Sequence, residues 1–445
     1  AAAPAAAADS CRCALTLTAV TVAARTAPGH CRGARSTLRA MDGRDGILVC
    51  PMPGWRSVTA GVWLLHGSAH DAAEVAGATH LVEHLTLRRC GDHDRRSLAL
   101  LVDRLGGEVD AWTSPELLGV TINTTVDALG DALALLADAV GRPTFDPEDV
   151  DLERRVTLAE LELVQDDPAE QVEDALLAAA WGDHPLARPV IGTRETVSRL
   201  TPRRLRAHHR HLLQPGGMVA AVVGDVSPRM VAEGLAGLPL HHRPSHRDLP
   251  ELKWRGRSQT LRRAGLDQVH ARIAVPAVAT GDPAVPAASL LNRVLGVGAA
   301  SRLFQRLRES EGLTYDIWSS LVLRRSGGIL EVGWACSPDV FDDTWRLVGE
   351  ELERLPRDLE PEELEVAREG LLRTLEMDAE TPSGTCALEI SELLERNRRF
   401  DLEVVRSELE RVSLDDVRRL GARCLGTGQP ASAVCAPEDL AVRVA

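Results

Sequence analysis

The sequence is short of several things, and each shortage narrows the reading. Lys253 is the only lysine among 51 basic residues, so arginine carries nearly all of the positive charge, a bias that reflects codon usage in a GC-rich genome and not function. The 65 acidic residues leave a net charge of −14, which argues against non-specific nucleic-acid binding. There is no apolar run long enough to span a bilayer. Aromatic residues make up 3% of the chain, and Tyr315 is its only tyrosine. The nine cysteines (Cys11, Cys13, Cys31, Cys50, Cys90, Cys336, Cys386, Cys424 and Cys435) are odd in number and scattered. They read as reduced, mostly structural thiols of a cytoplasmic protein. Cys11-x-Cys13 with Cys31 lacks a fourth metal ligand. What is present is ample hydrophobic content, 44% of 445 residues, enough for the cores of two to four domains.

One stretch organises the rest. Gly77-Ala-Thr-His-Leu-Val-Glu-His-Leu85 contains His80-x-x-Glu83-His84, and residues four apart share one helical face. Two imidazoles then converge on one point, as a zinc site requires, with a carboxylate close enough to act on an activated water. The pattern inverts the His-Glu-x-x-His helix of metallopeptidases. Five residues also match by chance, as two helix-face histidines near a surface carboxylate, so a third ligand is needed. Glu153-Arg-Arg-Val-Thr-Leu-Ala-Glu160 places two glutamates two turns apart on one face of an amphipathic helix.

An internal duplication supplies a control. Arg199-Leu-Thr-Pro-Arg-Arg-Leu-Arg matches Arg411-Val-Ser-Leu-Asp-Asp-Val-Arg, with Thr201 and Ser413 both placed as helix N-caps. Asp146-Pro-Glu-Asp-Val-Asp-Leu matches Glu360-Pro-Glu-Glu-Leu-Glu-Val. The second copy puts Ala367 opposite Glu153 and Thr374 opposite Glu160, and has no His-x-x-Glu-His near 288–296. Equivalent helices fold without these residues, so folding alone does not demand them.

On these motifs the chain resembles the pitrilysin/insulinase family (M16) of zinc peptidases, from about 44 to 436. The likeness is to its short two-domain M16B type, such as the mitochondrial processing peptidase beta subunit and bacterial processing proteases. The resemblance implies His80, His84 and Glu160 as ligands of one Zn2+ per chain, Glu83 as general base and Glu153 as an accessory carboxylate. Gly107-Glu-Val-Asp-Ala-Trp-Thr113 is similar to the family's edge strand, which binds extended peptide by strand addition; an ordinary sheet edge fits the same residues. Asp110 replaces the usual Asn, which leaves substrate preference open. Ser301-Arg-Leu-Phe-Gln-Arg-Leu-Arg308-Glu-Ser-Glu-Gly-Leu-Thr-Tyr315 resembles the Arg/Tyr motif, implying that Arg308 and Tyr315 hold the peptide and steady the tetrahedral intermediate. Leu295-Gly-Val-Gly298 resembles the family's glycine-rich loop and is no phosphate loop.

The implied fold is α+β: two homologous M16 (LuxS/MPP-like) domains, each an antiparallel-rich sheet packed with helices, dimerising into a clamshell. The expected division is an atypical, disordered or non-native Ala/Arg-rich extension over 1–40, with a start at Met41; a catalytic domain over 41–238; a linker over 239–257; and a second domain over 258–445. A transit-like segment or a short secretory segment at Ala14–Ala24 competes for 1–40, though no basic stretch precedes residue 14. Expected elements include strands at 46–51 and 57–66, a zinc helix over about 77–90, helices at 96–105 and 127–140, a long helix opening at Asp146, and a strand over Met218–Asp225. His208, His209, His211, His241, His242 and His246 read as solvated helix and linker histidines without partner carboxylates.

The implied function is a cytoplasmic zinc metalloendopeptidase that cuts short unstructured peptides, such as leader or signal peptides, inside a dimeric chamber. The partner is a second copy or a paralogous M16 subunit; no nucleic acid or membrane is expected. A subunit active only with its paralogue, or a non-catalytic core subunit, are the alternatives.

Overall fold

The computed structural model describes residues 46–241, 245–426 and 428–442. The reading of Met41 as the start, the 1–40 extension, Cys11, Cys13, Cys31 and His242 lie outside the described residues.

In chain order the first half contains β1 (Ile47–Pro51), β2 (Ser57–Leu64), α1 (Ala78–Thr86), α2 (Arg95–Leu105), β3 (Glu108–Thr113), β4 (Leu118–Thr125), α3 (Leu129–Gly141), α4 (Pro147–Asp166), α5 (Pro168–Trp181), α6 (Arg194–Ser198), α7 (Pro202–Leu212), β5 (Met218–Gly224) and α8 (Pro228–Gly234). The second contains β6 (Ser258–Arg263), β7 (Val269–Ala277), α9 (Val285–Gly296), β8 (Thr314–Val322), β9 (Gly328–Cys336), α10 (Phe341–Asp358), α11 (Pro361–Ala379), α12 (Pro382–Arg396), α13 (Leu402–Arg411), α14 (Leu414–Gly426) and β10 (Ala431–Pro437). Between α8 and β6 the described residues form neither helix nor strand, but Arg255 and Arg257 donate backbone hydrogen bonds to Ala180 and Ala179 at the end of α5.

The duplication is visible as topology. The first sheet runs β1-β5-β2-β4-β3 and the second β6-β10-β7-β9-β8. In each, the outermost first strand pairs in parallel with the last, and every other pairing is antiparallel. β3 and β8 are therefore corresponding sheet edges. Thr201 caps α7 by accepting from the Arg204 N–H, and Ser413 caps α14 by accepting from Asp416. Both α4 and α11 begin with proline at the first helical position, where no backbone donor is missed.

One face of each sheet packs on its own domain's helices, with Val58, Val62, Val120 and Ile122 against Leu81, Leu85, Leu133 and Leu136 in the first half. The other face is covered by a helix from the opposite half. Val172, Leu176, Ala179 and Trp181 of α5 lie on Ala274, Ile329, Ala431 and Ala433 of the second sheet. Cys386 and Ile390 of α12 lie on Leu48, Trp63, Val219 and Val223 of the first. Small side chains on β10 let α5 approach closely, and burying each leucine-sized side chain contributes about 1.5–3 kcal/mol. No helix of the described residues is long and apolar enough to cross a membrane.

Candidate metal centre

The helix α1 is buried almost all round, with Ala78, Leu81, Val82 and Leu85 in the core and His80 7% exposed. Its entry is built for a tight approach. Gly77 has φ 88°, and a Cβ there would meet the Ile191 carbonyl oxygen at 2.4 Å, so only glycine fits. Asp71 caps the helix from outside, accepting from the Thr79 N–H at 3.2 Å and the Thr79 hydroxyl at 2.6 Å. The helix ends at Thr86, four residues before the expected limit, because the chain then turns and Cys90 bridges to His93 and Pro143.

Opposite lies α4, whose inward face carries Val150, Glu153, Thr157 and Leu161. Asp149 in its first turn is fully buried and accepts from Arg95 Nε at 2.6 Å, with Arg88 and Arg89 at 3.6 and 3.3 Å. These arginines flank the end of α1 and hold the two helices in register.

The register brings His80, His84 and Glu160 together: their nitrogen and carboxylate atoms lie within 4.8 Å of one another. His80 Nε2 is 3.9 Å and His84 Nε2 3.6 Å from the Glu160 carboxylate. Glu153 stands behind His84, its carboxylate 3.3 Å from Nδ1, and its other oxygen is 3.2 Å from Arg88 Nε. That contact holds the Nδ1 proton, so His84 offers Nε2 toward Glu160, the usual way a carboxylate orients a ligating imidazole.

The electrostatics call for a cation. Burial pushes the Glu83 carboxyl up to about 7, against His84 and with Glu160 and Asp110 adding to the rise. Burial also raises Glu160, and burial with Glu108 raises Asp110. Burial pulls the His84 imidazole down, but Glu153, Glu83 and Glu160 outweigh it and raise its pKa. His80 is held well below its ordinary value by burial and by His84, and so is a neutral donor. Two imidazoles and one carboxylate form the donor set of a catalytic zinc site with an open fourth position, so the residues fit Zn2+.

Arg308 and Tyr315 lie apart from this cluster. The Arg308 guanidinium sits 4.3 Å from the Tyr315 ring centroid and 4.7 Å from that of Phe304. Phe304–Ser310 is a π-helical turn, and the β8–β9 pairing slips at Tyr315, leaving that side chain 80% exposed. Both irregularities recur at functional positions. Among the described residues, no hydrogen bond or ion pair joins either side chain to the α1–α4 cluster.

Comparison with known proteins is consistent with two halves of unequal chemistry. The insulinase model (peptidase family M16) matches residues 51–194, and the peptidase M16 inactive domain matches 199–371. An uncharacterized zinc protease of Mycobacterium tuberculosis is 32% identical over 395 residues, 84% of this chain and 89% of its own. The chain belongs to peptidase family M16. The mouse mitochondrial-processing peptidase subunit beta is 25% identical over 417 residues, 90% of this chain and 83% of its own. A protease from Helicobacter pylori superposes with a TM-score of 0.81 at 19% identity, covering 88% of this chain and 98% of that one, a likeness of fold. Both halves thus have the α+β M16 architecture, and only the first carries the His-x-x-Glu-His helix.

The histidines read as solvated need correction. His209 is buried, its Nε2 2.8 Å from the Val140 carbonyl oxygen. His208 Nε2 lies 3.3 Å from Asp71, a partner carboxylate that sequence spacing does not reveal because it comes from a distant loop. His66, Asp71 and the Arg88/Arg89/Arg95 set were not singled out from sequence. The one local signal was Asp71 ahead of a glycine-opened helix.

Proposed function

We propose that the chain is a zinc-dependent metalloendopeptidase of short, unstructured peptides. The observation that carries this reading is the meeting of His80, His84 and Glu160 beside the half-buried carboxylate of Glu83. A zinc ion held there would supply Lewis acidity and lower the pKa of water from 15.7 to about 7. Glu83 takes the proton from the attacking water and returns it to the leaving amine. Glu153 fixes the imidazole of His84 from behind. The edge strand β3, whose Asp110 is near enough to Glu83 to push its carboxyl up, offers unpaired backbone groups to an extended peptide, which pairs as an added strand. Tyr315, on the corresponding edge of the second sheet, and Arg308, on the π-helical turn before it, clamp the peptide and donate to the developing oxyanion.

The exposure of Tyr315 and its separation from the zinc cluster favour a dimeric chamber in which these groups come from an apposed domain. The partner is a second copy of this chain, with a paralogous M16 subunit as the second reading. The site is cytoplasmic and acts on leader or signal peptides released there.

The test is cleavage of a mixed pool of unstructured peptides of about 15–30 residues, read by mass spectrometry. The zinc-loaded chain alone should cut, lose cutting on chelation and recover it on zinc re-addition. Zinc binding without cutting would overturn the homodimer and leave the paralogue-dependent reading; no zinc binding at His80, His84 and Glu160 would overturn the enzyme.

A further inference from the structure

We propose that His66, Asp71 and His208 form a second site for a divalent transition-metal cation, distinct from that of His80, His84 and Glu160. One ligand atom from each of the three lies within 4.8 Å of the others. His208 Nε2 and Asp71 Oδ1 are already 3.3 Å apart, close to the roughly 3.4 Å between neighbouring ligand atoms on a tetrahedral ion with bonds of about 2.0–2.1 Å. His66 follows the end of β2 and is 4% exposed, and its buried Nε2 has no hydrogen-bond partner. An unsatisfied buried nitrogen of that kind costs about 1–3 kcal/mol, and a cation would satisfy it.

The neighbouring groups define the set. The His66 ring has His70 at 4.9 Å, His208 at 5.5 Å and His211 at 5.6 Å, centroid to centroid. His70 is already engaged, accepting from the Gly67 N–H and facing the Arg247 carbonyl. His211 faces the Arg247 guanidinium. His66 and His208 are left as nitrogen donors, with Asp71 as the carboxylate. Burial holds both imidazoles below their ordinary pKa and therefore neutral, the ligating form. The Thr79 hydroxyl donates to Asp71 and lies 2.9 Å from His208 Nε2, whose proton a bound cation would displace. Two imidazoles with one carboxylate suit Zn2+ and its spectroscopic substitute Co2+.

Asp71 also caps α1 one residue before His80. A cation here would tie the end of β2, the loop ahead of α1 and helix α7 into one brace around the start of the helix that carries the first metal site. Its role is positioning, without contact to substrate.

The experiment is Co2+ and Zn2+ titration of the full chain stripped of metal, read by visible absorption and by metal analysis. Wild type should take up two equivalents, and His66→Ala and His208→Gln one each. The His80→Ala/His84→Ala double variant should also keep one equivalent, now at the second site, and that equivalent should raise its Tm. One equivalent in wild type, none in the double variant, or two retained in a folded His66→Ala chain would each overturn the proposal.

Discussion

At the scale of single residues, the candidate site depends on side chains that never meet substrate. Glu153 is the example, a carboxylate behind His84 that is itself held by Arg88. Glu153→Gln should keep the fold and weaken zinc binding about 10–100-fold, the usual effect of losing such a support; competition against a chelating dye measures this, and unchanged affinity would show that Glu153 only packs. Tyr315 makes the opposite case. Tyr315→Phe should leave zinc content untouched and lower kcat about 10²–10³-fold if its hydroxyl donates to the oxyanion, which steady-state kinetics on a defined peptide would read. Helical spacing made His80-x-x-Glu83-His84 and the Glu153/Glu160 pair stand out on two helix faces, and the family resemblance, not spacing, joined the two faces into one site. Asp71 and His208 were not legible, since nothing local in the chain links a loop before α1 to a helix far downstream.

At the scale of elements, the duplication predicted much of the architecture: α4 with α11, and α7 with α14, begin at equivalent places. Strand edges were less legible. The residues at 65–66, expected to extend β2, leave the strand and lead to Ser68–His70. The helix α5 was not singled out from sequence, and no local pattern tells that it covers the sheet of the other half. Leu176→Ala, in that contact, should destabilise by about 2–5 kcal/mol, with both halves losing stability together in denaturant unfolding. Electrostatics on the same helix make a pH prediction. Burial, with Glu173 and Glu170 nearby, pushes Asp174 up to about 7 against the pull of Arg272. An unfolded aspartate titrates near about 3.9, so the folded state holds this proton more tightly. Its contribution is greatest below the unfolded pKa and is lost as pH rises to about 7. Asp174→Asn should therefore raise Tm at pH 8 and change it little at pH 4, as thermal unfolding at the two values would show.

At the scale of the whole molecule, the two sheet edges carry complementary parts of one proposed machine: β3 stands beside the metal cluster, and β8 carries Tyr315. If Tyr315 serves the apposed chain in an isologous dimer, mixing Glu83→Gln chains with Tyr315→Phe chains should restore cleavage well above either alone, because each mixed dimer holds one intact pair. No gain on mixing would place both groups in one chain's site. The most direct test of the central claim is zinc content and peptide cleavage measured on the same preparations of wild type and Glu83→Gln. The variant should retain zinc at His80, His84 and Glu160 and lose cleavage by at least about 100-fold, the low end for a general base. A Glu83→Gln chain that keeps its zinc and still cuts at the wild-type rate would contradict the account.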